Sequence, residues 1–176
     1  MKPVALAVAV PLLLAAGPAL QSSPDLGKAE GRCRPGESGP ALLVEAVGMK
    51  DRTGQMKLEV YPATDQDFLA DDNVLVAAGK TFRRVEIPTP QSDEVVLCVR
   101  IPGPGTYAVS VLHDRNSDRR FSWKIDGIGF SANPKLGWSK PKAKSSRVVV
   151  NGDRVSKISV VMNYKSGLGV APLKQK

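Results

Sequence analysis

Hydrophobic and polar residues alternate along much of this chain with a period of two. The segment "QMKLEVYP" at 55–62 shows it most clearly, because Met56, Leu58 and Val60 fall on one side and two charged residues on the other. This period is typical of a β-strand that buries one face. With 176 residues, the chain is long enough for one domain and peripheral segments.

Six further segments are also predicted to be strands. They are residues 41–47, 81–88, 93–101, 106–114, 146–152 and 155–164. The Asn151-Gly152 pair favours a hairpin turn between the last two, and helical periodicity is almost absent. Seven short, regularly spaced strands predict an all-β fold, a two-sheet antiparallel sandwich over residues 41–164.

The two flanks differ from this domain in composition. A lone lysine, an apolar run to about Ala16 and small residues up to Ala19 predict a signal peptide over residues 1–19, with an uncleaved anchor helix as the alternative. Residues 20–40 are rich in Gly, Pro and Ser and predict a linker, and residues 165–176 predict a flexible basic tail. We therefore expect an exported protein, periplasmic or extracellular, with no transmembrane segment in the mature chain.

Two cysteines, Cys33 and Cys98, fit an oxidising compartment. There an even pair favours a disulfide, which would stabilise the fold by about 4 kcal/mol in the chain-entropy model. Two separate thiols are the alternative. One histidine and two distant cysteines do not match the ligand spacing of zinc sites.

The net charge is +8, and the charged residues are distributed unevenly along the chain. Residues 20–114 hold ten Lys and Arg against fourteen Asp and Glu, whereas residues 115–147 hold nine against two. Both tryptophans, Trp123 and Trp138, lie in that basic segment. Such asymmetry suggests an anionic partner, although a solvated basic loop produces the same pattern.

The start of the basic segment, "VLHDRNSDRRF" at 111–121, contains the candidate chemistry. Asp114, Asn116 and Asp118 could turn three oxygens toward a calcium ion, or their side chains could bond nearby backbone amides and shape a turn. Arg115, Arg119 and Arg120 oppose a cation, so the turn is favoured.

His113 is the one candidate for a general base, with Ser131 as a nucleophile across the loop. No nucleophile elbow surrounds Ser131. The alternative is a structural imidazole whose nitrogens bond the loop "GFSANP". Either way, we expect His113, Ser131 and Asn133 to shape the loop together with the acidic residues.

The candidate binding residues combine cations with one aromatic side chain. They are Lys140, Lys142, Lys144, Arg147, Trp138, Arg119 and Arg120. Lys and Arg attract anionic glycans or lipid surfaces, and an exposed Trp stacks on sugars or enters a bilayer interface. For Phe121, Trp123 and Phe130 we favour a structural role, as a small satellite core that holds the long loop, and Trp138 is left open.

The motif "HDRNSDRRF…GIGFSANP" resembles the signature of the bacterial family called domain of unknown function 2141. Its specific part is His113, Asp114, Asn116, Asp118, Gly129, Phe130, Ser131 and Asn133, and the resemblance spans residues 41–164. It implies an exported β-sandwich of the prealbumin or immunoglobulin-like kind, without an established activity. Arg119 stands where the family has glycine, and Ser122 where it has an acidic residue.

Together these features predict a non-enzymatic module of the cell envelope that binds an anionic glycan or lipid surface through residues 113–147. A hydrolase that uses His113 and a calcium-stabilised structural module are the alternatives. We expect no cofactor, with calcium as the only alternative, and no nucleic acid partner. The oligomeric state stays open.

Overall fold

A computed structural model describes residues 23–152 and 154–174, so the predicted signal peptide at 1–19 lies outside the described residues. The strands are β1 (Ala41–Val47), β2 (Gln55–Pro62), β3 (Arg83–Pro88), β4 (Val96–Arg100), β5 (Gly105–Asp114), β6 (Gly127–Phe130), β7 (Arg147–Val150), β8 (Val155–Val161), β9 (Asn163–Ser166) and β10 (Gly169–Pro172). The helices are α1 (Lys28–Gly31), α2 (Asp72–Ala77) and a 3₁₀ turn, Ala143–Ser145. None of these helices is long and apolar enough to cross a bilayer.

The strands form two sheets, which confirms the predicted all-β sandwich. The smaller sheet has the order β4-β1-β8, and the larger runs β10-β9-β6-β5-β2-β3, with β7 also paired to β5. Two details differ from the prediction. The described residues hold ten strands rather than seven, and β1 runs parallel to β8, from Ala41 opposite Val155 to Val47 opposite Val161.

One additional strand arises because the predicted strand at 155–164 changes sheets. Its first part, β8, pairs with β1 in the smaller sheet, and its last part, β9, pairs with β6 and β10 in the larger one. Met162 lies at the change, where its N–H donates to the carbonyl of Val47 at 2.9 Å. An alternating pattern continues through such a crossing, so the sequence shows a single strand.

The main core lies between the two sheets. Met56, Leu58 and Val60 of β2 are fully buried there, as their alternation predicts. A second apolar cluster includes Tyr61, Phe68, Phe82, Ala108 and Phe130. Because Tyr61 and Ala108 alternate with residues of the main core, this cluster lies on the outer face of the larger sheet, under loops.

β5 is the central strand of the larger sheet and is buried from Tyr107 to Asp114. Along one edge its residues Tyr107–Asp114 pair with the whole of β2. Its other edge is shared, since Gly105–Ala108 pair with β7 and Ser110–His113 pair with β6. The connection between β6 and β7, residues 131–146, therefore leaves and rejoins the same strand edge.

Both flanks are more ordered than predicted. In place of a linker, residues 23–40 contain α1, which packs against β3, and Cys33 forms the predicted disulfide with Cys98 of β4. In place of a flexible tail, residues 163–172 form the β9–β10 hairpin. Gly167 permits its turn, with φ of 59°.

Candidate functional site

His113 is fully buried at the end of β5, and both of its ring nitrogens are hydrogen-bonded. Nε2 lies 2.8 Å from the carbonyl of Thr53, and Nδ1 lies 2.8 Å from the hydroxyl of Tyr164. A carbonyl only accepts, so Nε2 carries the proton and Nδ1 accepts from Tyr164. Burial lowers the pKa of His113 from its ordinary value of 6.5, which favours the neutral ring.

These partners correct the expectation that His113 bonds the loop "GFSANP". Gly127 faces His113 on the neighbouring strand, and a Cβ there would lie 2.4 Å from the ring of Tyr164. The missing side chain lets Tyr164 reach across β6 from β9. His113 is thus held by residues that are 60 and 51 positions away in sequence.

Ser131 lies near Val109 rather than near His113. Its N–H donates to the carbonyl of Val109 at 3.0 Å, and its Oγ accepts the N–H of Val109 at 3.0 Å. The hydroxyl donates to the carbonyl of Ser146. Ser131 therefore connects β5 to Ser146, the last residue before β7. It does not contact the imidazole.

Asn133 connects the same loop to the smaller sheet. Its Oδ1 accepts the N–H of Val161 at 2.7 Å, and its Nδ2 donates to the carbonyl of Ser159 at 3.1 Å. Both partners lie on β8. The amide therefore fixes the loop to β8 by pairing with its backbone.

Three carboxylates meet in the loop after β5. Oxygens of Asp114, Asp118 and Asp126 lie within 4.8 Å of one another. All six oxygens of the three groups already accept hydrogen bonds. Asp114 receives the N–H groups of residues 118 and 119, Asp126 those of residues 115 and 122, and Asp118 the N–H of residue 120 and the amide of Asn116.

This pattern matches the turn interpretation of the acidic motif more closely than the calcium one. Asn116 donates its amide to Asp118 at 2.8 Å instead of turning an oxygen toward the other carboxylates. The N–H of Arg120 lowers the pKa of Asp118, which is exposed. Arg119 adopts φ of 66°, a value that glycine reaches without strain, in agreement with the glycine of the family pattern. Asp126, which was not among the predicted calcium ligands, belongs to the cluster as well.

An open groove of about 560 Å³ lies on the outer face of the larger sheet. Its sheet side consists of outward-facing side chains of β2, β5 and β6, among them Leu112 and Ile128. Its walls come from residues 136–141, residues 168–170 and the aromatic rings of the basic loop. We refer to this cavity as the outer groove.

The aromatic side chains of the basic segment line this groove, and three of them are open to solvent. Trp138 is 86% exposed, Phe121 is 48% exposed and Trp123 is 38% exposed. Phe130 is buried in the second cluster as predicted, whereas the satellite-core prediction is wrong for Phe121 and Trp123. Phe121 and Trp123 line the groove while part of each ring is exposed to solvent.

Charged groups occupy two positions in the outer groove. On the sheet side, Glu59 accepts from Arg84 at 2.9 Å and from the hydroxyl of Tyr61 at 2.7 Å, and it lies 3.5 Å from Lys57 Nζ. At the mouth, Lys140 makes no ion pair within the described residues, and its Nζ lies 3.4 Å from the carbonyl of Phe68. The inner charges are thus neutralised, while the ammonium group of Lys140 has a carbonyl partner but no carboxylate partner within the described residues.

Of the seven predicted binding residues, Trp138 and Lys140 line the groove. Lys142, Lys144 and Arg147 are exposed but lie outside its lining, as do Arg119 and Arg120. Leu168, which is 75% exposed in the β9–β10 turn, lines the groove and was missed. No local signal marks it, since the hairpin reaches the groove only through the pairing of β9 with β6.

The sequence of the domain matches one known family. No curated protein and no solved structure matches the chain. Residues 44–158 match the family described as "Uncharacterized protein conserved in bacteria (DUF2141)". This match covers more than half of the chain and includes the loop with its histidine and acidic residues, so the protein belongs to the DUF2141 family of bacterial proteins.

Proposed function

We propose that this protein is an exported, non-enzymatic module of the cell envelope that binds an anionic ligand in its outer groove. The observation that carries the proposal is that Trp138, which is exposed, and Lys140, which makes no ion pair within the described residues, both line an apolar cavity. A concave, mostly apolar site with few polar groups is the usual form of a ligand pocket. Its cationic side favours negatively charged ligands.

The internal bonding of the loop supports a binding role over catalysis. The imidazole of His113 is buried with both nitrogens in use, and Ser131 is bonded to backbone groups elsewhere on β5. A general base needs access to the proton that it removes. Export is supported by the disulfide between Cys33 and Cys98, which fits an oxidising compartment.

Intrinsic tryptophan fluorescence can test the proposal directly, because both tryptophans of the chain line the groove. We would titrate the purified protein with acidic oligosaccharides, long-chain carboxylates and anionic vesicles, each beside a neutral counterpart. We expect saturable binding of at least one anionic ligand, weakened by salt. The variant Trp138→Ala with Lys140→Gln should lose it.

Lys135→Gln is the matched control, since Lys135 is an exposed lysine of the same segment outside the groove lining. It should bind like the unmodified protein. Equal binding by the groove variant and the control would contradict the proposed site. No saturable response to any anionic ligand would overturn the proposed function.

A further inference from the structure

The lining of the outer groove is mostly apolar. Among the described residues that line it, the only charged side chains are those of Lys57, Glu59 and Lys140, and the only hydroxyl groups are those of Ser110 and Ser139. Most of the other lining residues are apolar, from Leu112 and Ile128 on the sheet to Trp138 and Leu168 at the mouth. A ligand that enters this space must therefore present hydrocarbon to it.

A sugar is poorly suited to the sheet side of the groove. Glu59 and Lys57 are engaged with each other, and Glu59 also accepts from Arg84 and Tyr61. Sugar hydroxyls buried there would lose their hydrogen bonds to water and find few hydrogen-bond partners on the protein. A buried polar group without a hydrogen bond costs free energy. A hydrocarbon chain carries no such groups, and its burial is favourable.

The mouth of the groove is cationic, in contrast to its interior. Lys140 belongs to the groove lining, and Lys124 and Lys165 each place Nζ 5.8 Å from the ring centre of Trp123, which lines the groove too. None of these three lysines forms an ion pair with another residue of the described ranges. An apolar cavity with unpaired ammonium groups at its opening is complementary to an apolar tail with a negative head.

From this complementarity we infer that the occupant of the outer groove is a single long-chain acyl anion. Its hydrocarbon tail lies along Leu112 and Ile128 on the sheet, and its carboxylate lies among Lys124, Lys140 and Lys165. The volume of about 560 Å³ falls within the ordinary range of sites for small molecules. This inference rests on the proposed function and specifies its ligand class.

The probe is a series of saturated carboxylates from octanoate to palmitate, kept below their micelle concentrations, with tryptophan fluorescence as the readout. We expect one acyl chain per protein. Affinity should rise by about two- to fourfold for each added CH₂ group until the groove is full, because each buried methylene adds a similar increment. Laurate should bind about fivefold more tightly than dodecanol because of the cationic mouth.

Two sets of variants locate the ligand. The triple change Lys124→Gln, Lys140→Gln and Lys165→Gln should abolish the preference for laurate over dodecanol while the dependence on chain length remains. The double change Phe121→Ala and Leu168→Ala should weaken every chain. Val74→Ala with Val149→Ala is its matched control, because both valines are 58% exposed and lie outside the lining. All of these positions are exposed, so the melting temperature should be nearly unchanged.

The outcomes separate this inference from the proposed function. Saturable binding of oligogalacturonate without binding of monomeric laurate would overturn the acyl inference and leave an anionic ligand in place. Binding to phosphatidylglycerol vesicles alone would overturn it too, since it would indicate a membrane surface instead of a single chain. Failure of all three probes would overturn the inference and the proposed function together.

Discussion

Ser131 satisfies both backbone hydrogen-bonding groups of Val109. Its N–H donates to the Val109 carbonyl, and its side-chain oxygen accepts the Val109 N–H, each at 3.0 Å. Val109 lies between Ala108, which pairs with Arg147 of β7, and Ser110, which pairs with Phe130 of β6. Ser131 thus takes the place of a strand residue at the point where β5 changes partners.

Ser131→Ala should therefore destabilise the fold without changing its architecture. The substitution leaves the buried N–H of Val109 without an acceptor, which costs about 1–3 kcal/mol. Urea denaturation followed by circular dichroism measures this loss. Ser139→Ala, at an exposed serine of the same loop, should change the free energy of unfolding by less than about 0.5 kcal/mol. Equal stability of the two variants would contradict the role of Ser131.

Acidification should destabilise the protein through its one histidine. Burial lowers the pKa of His113 below 6.5, so the unfolded chain binds the proton more readily than the folded protein does. The stabilisation is complete above about pH 6.5 and is lost progressively as the pH falls below that value. We expect the melting temperature to decrease between pH 7 and pH 5.

The variant His113→Gln separates this effect from the carboxylates. Burial alone would raise the pKa of Asp51, but hydrogen bonds from Arg115 and Thr53 hold it well below its ordinary value of 3.8. The stability that Asp51 contributes is therefore lost only below about pH 4. Between pH 7 and pH 5 the melting temperature of His113→Gln should be lower but nearly flat. If the melting temperature of His113→Gln falls as steeply between pH 7 and pH 5 as that of the unmodified protein, His113 is not the cause of the decrease.

Asp126 is the structural centre of the acidic loop. Its two oxygens accept the N–H groups of Arg115 and Ser122, and the side chain is fully buried. Asp126→Asn turns one acceptor into a donor and leaves one of these N–H groups unpaired, so we expect a loss of about 1–3 kcal/mol in chemical denaturation. The exposed Asn116→Ala serves as the comparison and should lose less than about 0.5 kcal/mol. The reverse order would contradict the assigned roles.

Calcium should have little effect on stability. Six to eight oxygens surround a bound calcium ion, whereas each oxygen of Asp114, Asp118 and Asp126 already accepts a hydrogen bond from the loop. Melting curves recorded with calcium and with a chelator should coincide. A higher melting temperature in calcium that disappears in Asp118→Asn would show instead that the loop opens to hold the ion.

The sequence by itself determined the features that depend on neighbouring residues. Alternation identified the all-β class and the buried face of β2, because a strand turns successive side chains to opposite sides. The two cysteines and their inferred compartment indicated the disulfide. Local chemistry also indicated that the acidic motif makes a turn, since Asp and Asn side chains bond amides only a few positions away.

Only the tertiary structure decided which strands pair and what meets at the outer groove. Alternation carries no information about strand direction, so it could not show that β1 lies parallel to β8. Tyr164 reaches His113 across Gly127, and Leu168 reaches the groove of Trp138, through the pairing of β9 with β6. These contacts join residues far apart in sequence, and they depend on packing around the whole core rather than on any local pattern.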